Sequence, residues 1–210
     1  MGGKEMKDNR LKEQVFRGIR EALIERNDIN VIDTHVAGSS FIDEKTDDLS
    51  VLFAQNFTRA GGTIHYCYNE NDIRDKILEI QNRHGNATIG CASENLDGFL
   101  GHLKVENREN CNLEHLYTLG ATLCEALIAW QGSIVISSNL GLGTTIPSLP
   151  ETTIVIAFTS QVVTDWEAAN ERLKQLYPNY PDQIMVTHPA SYAYRKGQQK
   201  IYLILIEDEQ

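Results

Sequence analysis

The sequence predicts an α/β fold with a mostly parallel sheet and helices on both of its faces. From about residue 47, segments with helix-spaced apolar residues alternate with short β-rich runs. Two of these runs, 133–137 and 201–206, are apolar at almost every position. Such runs are typical of strands that are covered on both sides. Alternating helices and buried strands favour parallel βαβ units over an antiparallel sandwich.

The individual elements follow from the apolar spacing and from capping residues. A first helix is expected to end at Gly61-Gly62, and Asn69 is a candidate cap for a second helix. Leucines spaced along residues 113–128, with Glu125 among them, predict a third, longer helix. A fourth helix is expected from Trp166. The predicted strands are 63–67, 87–91, 133–137, 152–158, 184–186 and 201–206.

Composition restricts the class of protein. The chain has 210 residues, of which 41% are hydrophobic and 23% charged, as in an ordinary folded domain. Its net charge of −10 disfavours nucleic acid and anionic lipid as partners. No apolar run approaches the roughly 20 residues that span a bilayer, and no hydrophobic signal segment follows the N-terminus. We therefore expect no membrane span and a cytoplasmic location.

The cysteines and the histidines give no metal prediction. Cys67, Cys91, Cys111 and Cys124 form no CxxC pair, so they are expected to be reduced thiols without a zinc or iron–sulfur centre. The pair Asp33 and His35 has no third ligand placed by spacing. The sequence predicts no metal site and leaves any cofactor unknown.

Two parts of the chain differ in charge. Residues 1–28 carry many charges of both signs around a narrow apolar stripe, which predicts a charged helix. That helix could pack on its own domain or contact a partner, and the sequence leaves both open. Residues 29–210 are interpreted as one α/β domain.

The segment that follows the predicted strand 133–137 is the richest candidate site. Its glycines let backbone N–H groups approach a ligand, and its hydroxyls can donate to phosphate or carboxylate oxygens. It lacks the third glycine of a dinucleotide fingerprint and the lysine of a P-loop, so a plain structural connection is the alternative. The candidate ligand-binding residues of this region are Gly132, Ser133, Ser137, Ser138, Gly141, Gly143, Thr144 and Ser148.

Three further residues are candidates for chemistry. Glu125 would be a catalytic acid, base or nucleophile if it is buried, whereas an exposed helix position would make it a bystander. Thr187 and His188 follow a short predicted strand, where His188 is either a ligand-binding or basic group or a solvated loop residue.

Residues 53–65 predict a helix that closes on Gly-Gly before a strand, residues 126–136 read A-L-I-A-W-Q-G-S-I-V-I, and residues 148–150 read S-L-P. Taken in order, these segments resemble the LUD domain of the lactate-utilization protein C (YkgG-like) family. They are similar to that family's helix before Gly-Gly, its A-x-I-A-E-T-G-T element and its S-L-L-P element. Residues 17–23 fit the opening helix. No single match is specific, and the resemblance depends on their order and spacing.

The resemblance implies a fold similar to the glucosamine-phosphate deaminase, ribose-phosphate isomerase and CoA-transferase superfamily. It implies an accessory subunit in the oxidation of L-lactate to pyruvate, with an iron–sulfur protein as partner and a small anionic metabolite as ligand. Trp130-Gln131 replaces the family's Glu-Thr pair, and residues 187–192 lack its late acidic residue. The alternatives are a stand-alone enzyme for a sugar phosphate or acyl-CoA, and a non-catalytic scaffold with a degenerate site.

Overall fold

The computed structural model describes residues 48–91, 93–106, 108–110, 117–140, 150–190 and 200–207. The predicted helix 1–28 and the boundary at residue 29 lie outside these ranges. So do the candidate ligand residues Gly141, Gly143, Thr144 and Ser148.

Four helices and ten strands make up the described part of the chain. The helices are α1 (Leu49–Arg59), α2 (Glu70–Arg83), α3 (Glu94–His102) and α4 (Trp166–Leu176). The strands are β1 (Thr63–Cys67), β2 (Ile89–Cys91), β3 (Arg108–Asn110), β4 (Leu119–Leu123), β5 (Ala126–Ile128), β6 (Ser133–Ser137), β7 (Thr152–Phe158), β8 (Val162–Val163), β9 (Ile184–Thr187) and β10 (Lys200–Ile206).

The strands form two sheets. The larger sheet has six strands in the order β1-β10-β7-β4-β2-β3, and every neighbouring pair is parallel. The smaller sheet has four strands in the order β8-β5-β6-β9. In it β6 is antiparallel to both neighbours, while β5 and β8 are parallel. The parallel sheet confirms the predicted fold class, whereas the second sheet was not predicted from the sequence.

Apolar side chains pack the two sheets together. One buried cluster joins α1 and the face of β7 and β10 to the small sheet. Its members include Phe53, Phe57, Leu127, Ile134, Ile136, Val155, Leu203 and Leu205. Each buried side chain of this size contributes about 1.5–3 kcal/mol to folding before the loss of conformational entropy. The small sheet thus lies against the large sheet through a continuous apolar layer.

Helices lie on both faces of the large sheet. Leu203 faces α1, whereas the ring of Tyr202, the preceding residue of β10, contacts His84 at the end of α2 with 6.2 Å between ring centroids. Successive strand residues point to opposite faces, so α1 and α2 cover opposite sides. Helix α4 packs on the outer face of the small sheet, where Leu173 contacts Val135 and its neighbours.

Most predicted elements are confirmed, and local signals explain where they begin and end. Asn69 caps α2 by accepting a hydrogen bond from the N–H of Asp72 at 3.0 Å. Asp165 does the same for Ala168 at the start of α4. The predicted strand 152–158 has the same bounds as β7. Local capping and apolar patterns were sufficient for these elements.

The predicted helix over residues 113–128 is wrong. Its described part holds two short strands, β4 and β5, and every residue of both is buried. A run that is apolar on all sides fits a buried strand as well as a helix, because periodicity does not separate the two. Gly120 of β4 packs closely against Pro150, since a Cβ there would lie 2.5 Å from the Pro150 side chain. Within the described ranges, no helix is long and apolar enough to cross a membrane.

Candidate functional site

Glu125 lies between two strands, with its side chain inside the protein. It follows the carboxyl end of β4 and directly precedes β5, and it is 3% exposed. The interpretation of Glu125 as an exposed helix residue is therefore wrong. Ligands of open parallel sheets usually bind at the carboxyl ends of the strands. Glu125 therefore lies at the edge of the sheet where binding sites are common.

Two hydroxyl groups hold the Glu125 carboxylate. Ser137, the last residue of β6, donates from Oγ to Glu125 Oε1. Tyr177, the residue after α4, donates from its hydroxyl to the same oxygen at 2.5 Å. Ser137 is fully buried and Tyr177 is 6% exposed. A buried carboxylate requires such donors, because an unpaired charge in the interior is costly.

The main chain around Glu125 is also held by side chains. Gln161 donates to the carbonyl of Cys124 at 2.7 Å and accepts from the N–H of Phe158 at 2.8 Å. Arg172 of α4 donates from Nε to the carbonyl of Glu125 at 3.0 Å. The bend between β4 and β5 is thus tied to the end of β7 and to α4, which fixes the direction of the carboxylate.

Burial also determines the state of the neighbouring thiol. Cys124 is fully buried, and desolvation raises the pKa of its thiol above the ordinary value, with the charge of Glu125 as a second cause. The thiol is therefore neutral beside the carboxylate.

Ser138 directly follows Ser137 in the chain and lies three residues before the segment 141–149. Its N–H donates to the carbonyl of Gln183 at 3.0 Å, and its Oγ accepts from the N–H of Gln183 at 3.3 Å. The N–H of Asn139 donates to Ser137 Oγ at 3.1 Å. Ser137 and Ser138 therefore occupy fixed positions at the end of β6, next to Glu125.

A cleft of about 340 Å³ lies beside this cluster. Tyr177 forms part of its wall and also binds Glu125. The described residues that line the cleft are Asn139, Tyr177, Pro178, Asn179, Tyr180 and Asp182.

The other candidate residues lie at the opposite end of the small sheet. Thr187 pairs with Ile134, three residues before Ser137 along β6, which corresponds to about 10 Å along the strand. Ser133 begins β6 at that end and is buried. His188 follows Thr187, and its Nδ1 accepts from the N–H of Ala190 at 3.3 Å. The structure therefore groups Glu125 with Ser137 and Ser138, and separates them from Thr187 and His188.

Gly132 has a packing position in the turn between β5 and β6. Its φ of +62° is in the left-handed region, and a Cβ would lie 2.4 Å from the backbone nitrogen of Phe57. Asn56 binds the same turn by donating to the carbonyls of Ala129 at 2.9 Å and Trp130 at 3.1 Å. Close contact with α1 thus accounts for the glycine.

Sequence reasoning did not select Tyr177, Gln161 or Arg172. These residues lie 52, 37 and 47 positions from their partners in the 124–125 segment. No local pattern marks such distant contacts. A tyrosine directly after a helix and before Pro178 was the one available signal, and it predicts only a helix end. Within the described ranges, no group of three or more His, Cys, Asp or Glu side chains could hold a metal ion.

The fold and the site define an α/β protein with a parallel six-stranded sheet and a buried carboxylate at the sheet's carboxyl edge. The LUD domain family model matches residues 51–205, and the chain belongs to that family. The LUD domain predicted from the sequence is thereby confirmed.

A solved structure shares the fold. It is the 1.70 Å crystal structure of a DUF162 family protein from Deinococcus radiodurans, which is similar to this chain with a TM-score of 0.59. The two sequences are 16% identical, and the alignment covers 75% of this chain and 96% of the other. No curated protein matches this chain.

Proposed function

We propose that this chain is a lactate-utilization subunit that binds a small anionic metabolite or cofactor at the loop after β6. Membership of the LUD domain family supports the lactate-utilization context. The proposed location of the binding site rests on Ser137 and Ser138, which are adjacent residues at the end of β6, shortly before segment 141–149. A segment rich in glycine and hydroxyl groups after a buried strand suits an anion.

The fixed backbone at the end of β6 supports this location. Ser138 is bonded to Gln183 in both directions, and Ser137 to Glu125 and to the N–H of Asn139. A site built on a rigid strand end loses little entropy when a ligand binds. The iron–sulfur partner implied by the family resemblance would supply the electron acceptor for the oxidation of lactate, and this chain would hold the metabolite or cofactor in a cytoplasmic complex.

Isothermal titration calorimetry with L-lactate and with pyruvate tests the binding step. We expect saturable heat with the wild type and an affinity that falls at least about tenfold in Ser138→Ala, because a bound carboxylate typically gains about 1.5–3 kcal/mol from such a donor. Thr118→Ala is the matched control, since Thr118 is exposed and precedes β4 at the opposite edge of the sheet.

Co-purification tests the subunit role. The tagged full-length chain should retain an iron–sulfur protein from its own host, detected by the absorbance and iron content of the eluted complex. A chain that is isolated alone under these conditions, and that gives no heat with either acid, would contradict the proposal. Partner binding without metabolite binding would instead favour a non-catalytic scaffold.

The buried carboxylate favours a second candidate function. Glu125 is held by two hydroxyl donors at the carboxyl edge of the sheet, as a proton-transfer group or nucleophile of an enzyme for a sugar phosphate or acyl-CoA would need to be. Turnover of such a compound that falls at least a hundredfold in Glu125→Gln, with folding retained by circular dichroism, would support this function. Unchanged turnover in that variant would remove it.

A further inference from the structure

We propose that the cleft at Tyr177–Asp182 binds a small organic cation, of the class of primary or quaternary ammonium compounds. The cleft is defined by the six residues given above and is large enough, at about 340 Å³, for a small metabolite. Its chemistry is opposite to that of the anion site proposed after β6. The two proposals therefore make independent predictions.

Tyr180 gives the wall of the cleft an exposed aromatic side chain. Tyr180 is 44% exposed, and its hydroxyl donates to Asn170 Oδ1 at 2.5 Å. This bond ties the hydroxyl end of the ring to α4, so the ring is held in place without a ligand. Ammonium groups within about 6 Å of such a ring face gain roughly 0.5–1 kcal/mol at exposed sites.

The charges around the cleft are predominantly negative. Asp182 contributes an exposed carboxylate to the wall, and the Glu125 carboxylate lies directly behind Tyr177. Among the described residues that line the cleft, none is Lys, Arg or His. The whole chain carries a net charge of −10, which raises the local concentration of cations at such a surface.

The nearby basic side chains are engaged with other groups. Arg172 donates to the carbonyls of Glu125 and Ser160, and it does not line the cleft. Lys174 is an exposed side chain that forms an ion pair with Glu171 at 2.6 Å. Their positive charge weakens the negative potential only in part, because Glu171 offsets that of Lys174.

The segment that carries the cleft residues is held at both ends. At its start, the hydroxyl of Tyr177 donates to Glu125, and the backbone N–H of Tyr177 donates to the carbonyl of Leu173 at 3.1 Å. At its end, Gln183 is bonded in both directions to Ser138. Pro178 lies between these anchors and restricts the backbone further. The polar groups of the cleft are thus preorganised, which reduces the entropy lost on binding.

A titration followed by backbone amide NMR shifts tests the proposal, with choline as the probe. Its matched control is the uncharged carbon isostere, in which a tert-butyl group replaces the trimethylammonium group. We expect choline to shift the amides of Asn179, Tyr180 and Asp182 in a saturable way, and the isostere to bind at least about threefold more weakly. L-lactate should not shift these amides.

Two variants assign the effect to the cleft. Asp182→Asn and Tyr180→Leu should each weaken choline binding about two- to fivefold, as the loss of one ion pair or one cation–π contact predicts. Asp75→Asn removes the same charge from an exposed position of α2 and should leave the affinity within error. Absence of saturable shifts, equal binding of choline and its isostere, or an equal loss in Asp75→Asn would overturn the proposal. Each of these results leaves the Ser138 titrations with L-lactate unaffected, so failure here is distinguishable from failure of the proposed function.

Discussion

The hydroxyl of Tyr177 donates a hydrogen bond of 2.5 Å to the carboxylate of Glu125, although 52 residues separate them in the chain. The bond joins the end of α4 to the bend between the two sheets, and both side chains are buried. The bond therefore fastens α4 to this bend, and it also connects the buried carboxylate to a residue of the cleft wall.

Replacing Tyr177 by phenylalanine should destabilise the protein. The variant keeps the ring but removes one of two hydroxyl donors to a buried carboxylate, and bonds to charged groups contribute about 1.5–3 kcal/mol. Urea unfolding should show that loss in the free energy of unfolding. Tyr68→Phe is the control, because Tyr68 is 71% exposed, and its loss should be under about 0.5 kcal/mol. Equal losses in the two variants would show that the hydrogen bond from Tyr177 to Glu125 does not stabilise the fold.

Gly132→Ala should be far more damaging than Gly85→Ala. Both glycines have positive φ, +62° and +70°, so both variants incur the strain of about 1–2 kcal/mol for a left-handed residue. Only at Gly132 would the new Cβ also collide with the backbone of α1, at 2.4 Å, whereas nothing lies within 4 Å at Gly85. Thermal unfolding monitored by circular dichroism should separate the two melting temperatures by several degrees. Similar melting temperatures would show that the turn does not press against α1.

Alkaline pH should destabilise the fold in part through Cys67. Burial raises the pKa of this thiol from 9.0 to about 11. A raised pKa means that the folded state prefers the neutral thiol, so this stabilisation is complete below pH 9 and is lost as pH rises from 9 through about 11. The fall in the free energy of unfolding across this range should be smaller in Cys67→Ala than in the wild type. Parallel pH profiles would exclude the contribution.

Arg172→Met should cost more stability than Lys174→Met. Arg172 donates to two carbonyls, those of Glu125 and Ser160, which lose a charged donor in the variant. We expect a loss of about 1–3 kcal/mol. Lys174 forms an exposed ion pair with Glu171, and such pairs contribute about 0–1 kcal/mol. Guanidinium chloride would screen the surface pair, so urea unfolding at low salt is the suitable measurement, and equal losses would contradict the ranking.

The sequence by itself determined the α/β class, the LUD domain and the bounds of strands β1, β6 and β7. Strand 152–158 and the helix that begins at Trp166 were predicted because caps and apolar spacing act within a few residues. The order and spacing of such segments also carried the resemblance to the LUD domain, which the family match over 51–205 confirms.

Only the tertiary structure decided what lies around Glu125. The leucines before it fitted a helix and a buried strand equally well, and the choice between them depended on the partner strands β2 and β7 of β4. A different pairing, that of β5 with β6, brings Ser137 to Glu125, while α4 brings Tyr177 from another part of the chain. Contacts between residues 12 and 52 positions apart depend on strand register and helix packing, which no local pattern of the chain specifies.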